Sequence, residues 1–179
     1  MPPPRPKSAP DIARIWEWLD AVPDPEIPVI SLVDLGIIRD VAWQGDRLVV
    51  TVTPTYSGCP ATAVIRLDIE TALRAQGIDK IEIQTRIAPP WTTDWLTEKG
   101  RVRLEEYGIA PPSPACGPTG DLTGSPAGRG AGRGAGEPAR CPRCGGMELT
   151  RVSQFGSTPC KAHWRCQSCL EPFDYFKCI

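Results

Sequence analysis

The chain has 179 residues, with 21 prolines, 17 glycines, eight cysteines, a single histidine and a net charge of −1. Hydrophobic residues make up 41%, which excludes a wholly disordered chain, and the balanced charge excludes a strongly basic one. With His163 as the lone imidazole, Ser-His-Asp hydrolases, His-rich zinc enzymes and two-histidine iron sites would all have to draw on one residue. No Glu-x-x-His pair exists for a di-iron site in a helix bundle. The chemistry must rest on cysteine or on binding.

Residues 1–10 are half proline and read as a disordered leader. Ile12, Ile15, Trp16 and Leu19 recur at helical spacing, which predicts an amphipathic helix stopped by Pro23 and Pro25. Ile37 to Trp43 and Arg47 to Thr53 read as a hairpin around Gln44-Gly45-Asp46. Pro60 fits the first turn of a second helix with apolar face Val64, Ile65, Ile69, Ala72 and Leu73, stopped by Gly77. Ile81, Ile83 and Ile87 mark a third strand. A last helix is expected to start at Thr92 or Thr93, where threonine caps free amides, with Leu96, Gly100, Leu104 and Tyr107 on one face. The order helix, hairpin, helix, strand, helix over residues 11–110 is a small α+β domain.

From 111 to 140, fourteen of thirty residues are proline or glycine, and no apolar periodicity survives. This predicts a flexible linker, in which Cys116 is incidental. Residues 141–179 have too few apolar side chains to fold on a core alone. The staple is Cys141-x-x-Cys144 followed by Cys166-x-x-Cys169. Two such knuckles complete a tetrahedral shell of four thiolates, so the segment reads as a β-rich zinc ribbon with a structural zinc. Mononuclear iron would use the same ligands. Two complete pairs leave no vacancy for His163. Cys160 has a lysine neighbour that can lower its pKa, and Cys178 beside the C-terminus reads as unconstrained. The N-terminus shows no apolar signal segment and no stretch approaches the ~20 apolar residues of a membrane span. Cytoplasmic location is the expectation, with cysteines as ligands or thiols in preference to disulfides.

A second constellation lies in the α+β domain. Pro60 at the first helical position would put Cys59 at the N-cap, where the helix dipole and free amides lower a thiol pKa. Asp24-Pro25-Glu26-Ile27-Pro28 is a rigid loop that can bring two carboxylates toward that thiol. Equally, Cys59 can be a small buried cap residue and Asp24 a turn former, and the residues alone leave the two readings even.

Asp24-Pro25-Glu26-Ile27-Pro28-Val29, Asp34-Leu35-Gly36-Ile37-Ile38 and Thr53-x-Thr55-x-x-Gly58-Cys59-Pro60 together resemble the domain shared by SufT-like iron–sulfur assembly proteins and PaaD. Trp91-Thr92-Thr93-Asp94-Trp95-Leu96-Thr97, Gln154-Phe155-Gly156-Ser157-Thr158-x-Cys160-Lys161-Ala162 and Glu171-Pro172-Phe173-Asp174-Tyr175-Phe176-Lys177 look specifically like the PaaD family. The resemblance covers both expected folded units and departs from the family's pattern at Cys178. It implies an accessory subunit of the phenylacetyl-CoA ring 1,2-epoxidase system of aerobic phenylacetate degradation, with no catalytic residue of its own. Its role would be iron or iron–sulfur centre assembly or repair, and its partners the oxygenase and reductase subunits or iron–sulfur assembly proteins. It further implies a metal-transfer site at Cys59 with Asp24, Glu26, Thr53 and Thr55, holding iron or an iron–sulfur cluster transiently.

Two alternatives stand beside this reading. One is a thiol-dependent enzyme acting through Cys59, which lacks a positioned base in its own domain. The other is a nucleic-acid-binding zinc ribbon. Against it, residues 11–110 carry sixteen acidic and ten basic residues, and residues 111–179 carry eight basic and five acidic. Neither part has the basic stripe that phosphate contacts need.

Overall fold

The structure, a computed structural model, describes residues 9–112 and 136–179. Most of the expected leader and linker therefore lies outside the described residues. The chain divides into two compact units, one of Met1–Trp91 with Trp95–Gly100 and the other of Thr92–Asp94 with Arg101–Ile179.

In the first unit, α1 (Ile12–Asp20) begins where the Asp11 carboxylate accepts the Ile12 amide at 2.8 Å, and it buries Ile15 and Leu19. Strands β1 (Ile38–Gln44) and β2 (Arg47–Val52) form the expected antiparallel hairpin. Helix α2 (Thr62–Ala75) then crosses to β3 (Ile81–Thr85), which pairs parallel to β2. The sheet order is β1-β2-β3. As the middle strand, β2 is buried on both faces from Leu48 to Val52, as its β-branched run requires. Helix α1 packs on α2 and β1. Of the apolar face expected for α2, Ile65, Ile69 and Leu73 are buried, whereas Val64 is exposed.

The last helix starts later than its threonines suggest. A 3-10 turn occupies Thr93–Trp95 and α3 covers Glu98–Tyr107, capped by Thr97, whose hydroxyl accepts the Gly100 amide at 3.0 Å. Thr97 has a second role that spacing does not reveal. Its hydroxyl donates to buried Asp34 (2.8 Å), which also pairs with the Lys99 ammonium at 3.1 Å. Trp91 Nε1 donates to Leu35 O at 3.0 Å. Within the first unit, Asp34-Leu35-Gly36 on one side and Trp91 with Trp95 to Thr97 on the other thus form one junction. Gly36 is held at φ +72°, and a Cβ there would lie 2.5 Å from the Trp95 carbonyl.

In the second unit, β5 (Leu149–Ser153), β6 (Lys161–Cys166) and β7 (Pro172–Phe176) form an antiparallel meander. A two-residue strand, β4 (Ile109–Ala110), adds parallel to β7, giving the order β4-β7-β6-β5. The sequence reading places residues up to 110 with the α+β domain. The structure instead gives Ala110 to the core around Ala162, Trp164, Phe173 and Tyr175. The second unit in fact takes in everything from Arg101 onward, because helical period shows which face of a helix is apolar and not which neighbour covers it. Among the described residues no helix is long and apolar enough to cross a membrane.

Gly36→Ala combines a disfavoured left-handed backbone with a clash against main chain. It is expected to destabilise the first unit by about 2–4 kcal/mol in urea unfolding, and a loss below about 1 kcal/mol would show that Trp95 moves freely.

Candidate functional site

The loop between β2 and α2 carries the thiol singled out from the sequence. Thr53 leaves the sheet with its amide donated to Ile37 O at 2.8 Å, and Thr53 and Thr55 are both buried. Cys59 N–H closes a turn onto Tyr56 O at 3.2 Å. The amide and hydroxyl of Thr62 then donate to Cys59 O at 3.2 and 2.8 Å. Because these successive turns take up Pro60, α2 begins only at Thr62, and its N-cap is Ala61, with no side-chain cap bond. Cys59 is not the N-cap.

The electrostatic expectation changes with it. Half-burial pushes the Cys59 thiol up, and the Glu26 and Asp24 carboxylates add to the rise. The Ala61 amide and the Thr62 hydroxyl oppose it without cancelling it. The thiol is therefore protonated at neutral pH, opposite to the activation an N-cap would confer. Asp24 serves as a turn former as well as a neighbouring charge. Its Oδ1 accepts the amides of Glu26 and Ile27, both at 2.9 Å, while its own amide donates to Ile30 O at 2.8 Å. The loop that carries Glu26 is therefore locked.

The four ribbon cysteines come together as their spacing requires. Their sulfurs all lie within 4.8 Å of one another, with Cys141···Cys169 at 3.9 Å and Cys144···Cys166 at 3.6 Å. A tetrahedral zinc with Zn–S near 2.3 Å has S···S edges of about 3.8 Å, so the donor set fits. The first knuckle turns through Gly145 at φ +75°, and the Arg143 and Gly146 amides donate to Cys141 Sγ and Cys144 Sγ, both at 3.4 Å. Thiols this close cannot ionise independently. The Cys169 amide leads in pulling Cys166 down to about 6, against burial. Cys144, despite the Gly146 amide, is pushed up to about 12 by Cys169 and Cys166. A cation at the centre would favour all four as thiolates. Among the described residues no other group of three or more such ligands comes within reach of one ion; Cys59, Asp24 and Glu26 do not form one.

His163 stands apart from the thiols. Its Nδ1 lies 3.2 Å from Asp174 Oδ1, and Asp174 Oδ2 is 3.8 Å from the ammonium of buried Lys161. The ribbon strands assemble this Lys161–Asp174–His163 group by register, because His163 pairs with Asp174 across β6 and β7. Sequence reasoning missed it, and the only signal was the alternation along the two strands. Cys160 is buried, 3.0 Å from the Thr158 hydroxyl. Cys178 is not the unconstrained thiol expected: it is disulfide-bonded, packs on the ribbon core and lies 3.1 Å from the Tyr175 hydroxyl.

A protein of Escherichia coli (strain K12) that carries the provisional name of a 1,2-phenylacetyl-CoA epoxidase subunit is 45% identical over 170 residues, covering 95% of this chain and 94% of that one. The chain belongs to the PaaD family. The PaaD zinc beta ribbon domain matches residues 125–177, and an iron–sulfur cluster assembly protein domain matches residues 12–84. The Fe-S protein maturation auxiliary factor YitW of Bacillus subtilis (strain 168) is 32% identical over 93 residues, 51% of this chain and 90% of that protein. The crystal structure of a domain of unknown function, DUF59, from Bacillus anthracis covers 51% of the chain and 89% of its own, at 29% identity and a TM-score of 0.47. The two matched stretches contain Cys59 in the one and Cys141, Cys144, Cys166 and Cys169 in the other.

Removing metal from the full chain with a strong chelator should strip hydrogen-exchange protection from β6 and β7 and leave β1 and β2 protected. Loss of protection in both sheets would show that the metal is not local to the ribbon. Alkylation of Cys59 by iodoacetamide should be slower at neutral pH than that of a free thiol and should rise only in alkali. Glu26→Gln, by removing a charge that opposes the thiolate, should shift the rate profile to lower pH, and coincident profiles would remove Glu26 from the account.

Proposed function

We propose that this chain is an accessory, non-catalytic subunit of a phenylacetyl-CoA 1,2-epoxidase system that assists assembly or repair of iron or iron–sulfur centres in partner subunits. The 45% identity across nearly the whole length of both chains carries the assignment to that system. The maturation role is supported by the iron–sulfur assembly domain over residues 12–84 and by the relative whose name describes Fe–S protein maturation. In this reading the first unit is the working domain. Cys59, with Asp24, Glu26, Thr53 and Thr55 around it, takes up iron or a cluster for a short time, and the zinc ribbon docks the client, an oxygenase or reductase subunit.

The physical case turns on the half-burial of Cys59 and on the Glu26 and Asp24 charges that act on it. A nearby negative charge disfavours a thiolate but favours an arriving cation, so metal binding displaces a proton that the free protein holds firmly. One sulfur without a preformed set of three ligands binds loosely, which suits a carrier and not a permanent site. The thiol-enzyme alternative fares worse. It needs an ionised nucleophile and a positioned base, yet Cys59 is pushed toward the neutral thiol and the single histidine hydrogen-bonds Asp174 in the second unit. Nucleic acid is disfavoured as a partner by the net charge of −6 over residues 11–110.

Co-expression with the oxygenase and reductase subunits, followed by iron analysis of each purified subunit, tests the proposal. Cys59→Ala should leave a client deficient in iron while the variant itself stays folded, and Cys59→Ser should not restore it. Full iron occupancy in every subunit with Cys59→Ala would overturn the role given to Cys59.

A further inference from the structure

The four ribbon cysteines are alike in sequence and unlike in the structure. Cys141 is 1% exposed and Cys166 is 0% exposed, both within the apolar cluster formed by Trp164, Phe173 and Tyr175. Each is also tied down by its backbone. Cys141 N–H donates to Gly146 O at 2.9 Å and its carbonyl accepts Gly145 N–H at 2.9 Å, while Cys166 N–H donates to Glu171 O at 3.1 Å. Cys144, by contrast, is exposed, and Cys169 is half-buried. The short sulfur contacts join one fully sheltered and one less buried thiol each, Cys141 with Cys169 and Cys166 with Cys144. Cys144 is therefore the outward corner of the tetrahedron, and its least sheltered edge runs to Cys169, which is half-buried and packs against the core cluster.

Gly146 keeps that edge open. A Cβ at position 146 would lie 3.2 Å from Cys144 Sγ and 2.9 Å from Ser168 Oγ, so any side chain there would stand over the sulfur. The Gly146 amide donates to Cys144 Sγ at 3.4 Å, and Cys166 Sγ lies 3.6 Å from it on the inner side.

We infer that the ribbon metal is exchangeable and that it enters and leaves through the Cys144–Cys169 edge, with Cys144 the first ligand replaced and Cys141 and Cys166 the anchors. The exchanging species is a thiol, free or on another protein. Its sulfur bonds to the metal as the metal–Cys144 bond breaks, and the proton of the incoming thiol passes to Cys144, so charge and atoms balance. Thiolates are soft ligands suited to such associative exchange, and an inward-facing sulfur cannot be approached from solvent. The ribbon would then be a site that can yield its metal without first unfolding, a property independent of the role given to Cys59.

The test uses the zinc-loaded full chain. Limiting N-ethylmaleimide is added, modified cysteines are mapped by mass spectrometry, and zinc release is followed with a chromophoric chelator. Cys144 should be the first of the four ribbon cysteines modified, in step with zinc release and before β6 loses hydrogen-exchange protection. Any other order among the four, or zinc release only after β6 has opened, overturns the inference. In parallel, Cys144→Ser should still bind zinc and release it about tenfold faster or more, the scale on which changes around a metal's ligands act, whereas Cys141→Ser should fail to retain it. Equal loss of zinc by the two variants, including failure of both to fold, also overturns it.

Discussion

The convergence of four cysteine sulfurs within 4.8 Å of one another is the constraint on which the second unit depends. The ribbon strands are short, and the apolar cluster around the cysteines is little more than Ala110, Ala162, Trp164, Phe173 and Tyr175 with the cysteines themselves. So small an apolar cluster does not offset the entropy of ordering three strands and their turns. The Cys141–Cys144 knuckle closes on the end of β6 and the turn beyond it, beside the β6–β7 register. That register in turn places His163 opposite Asp174 and brings Lys161 near the same carboxylate.

The first unit rests on a different kind of closure. Asp34, buried, receives the Thr97 hydroxyl and the Lys99 ammonium, and Gly36 lets the chain pass against the Trp95 carbonyl. A buried carboxylate is costly unless its oxygens are satisfied, and here two partners come from the segment more than sixty residues on. The same economy governs Asp24, whose oxygen is used by two amides of its own loop. The effect on chemistry is indirect: a loop so locked holds Glu26 where its charge raises the pKa of Cys59. The thiol that an N-cap would have activated is held neutral, which disfavours it as a nucleophile.

Much of this was legible along the chain. The hairpin around Gly45, the burial of Ile65, Ile69 and Leu73, and the pairing of two Cys-x-x-Cys turns follow from period and spacing, which are local properties. The misreadings were of another sort. Thr97 replaced Thr92 and Thr93 as the cap because Asp34 claims its hydroxyl; Cys59 lost the N-cap because Thr62 turns back onto its carbonyl; Ile109 and Ala110 joined the ribbon sheet because β7 offered a free edge. In each case a competing long-range or loop partner outweighed a local preference of about 1 kcal/mol.

The order of residues was enough to specify the two sulfur constellations, the α+β and β-rich classes and the family, because metal-ligand spacing and amphipathic period are written in consecutive residues. The states of those sulfurs were settled by packing in three dimensions. Whether Cys59 is ionised depends first on its burial and then on carboxylates more than thirty positions away, and Cys144 is the exposed ribbon cysteine because an apolar core closes over Cys141 and Cys166. Burial and Coulomb interaction act through space, at distances that chain position does not encode.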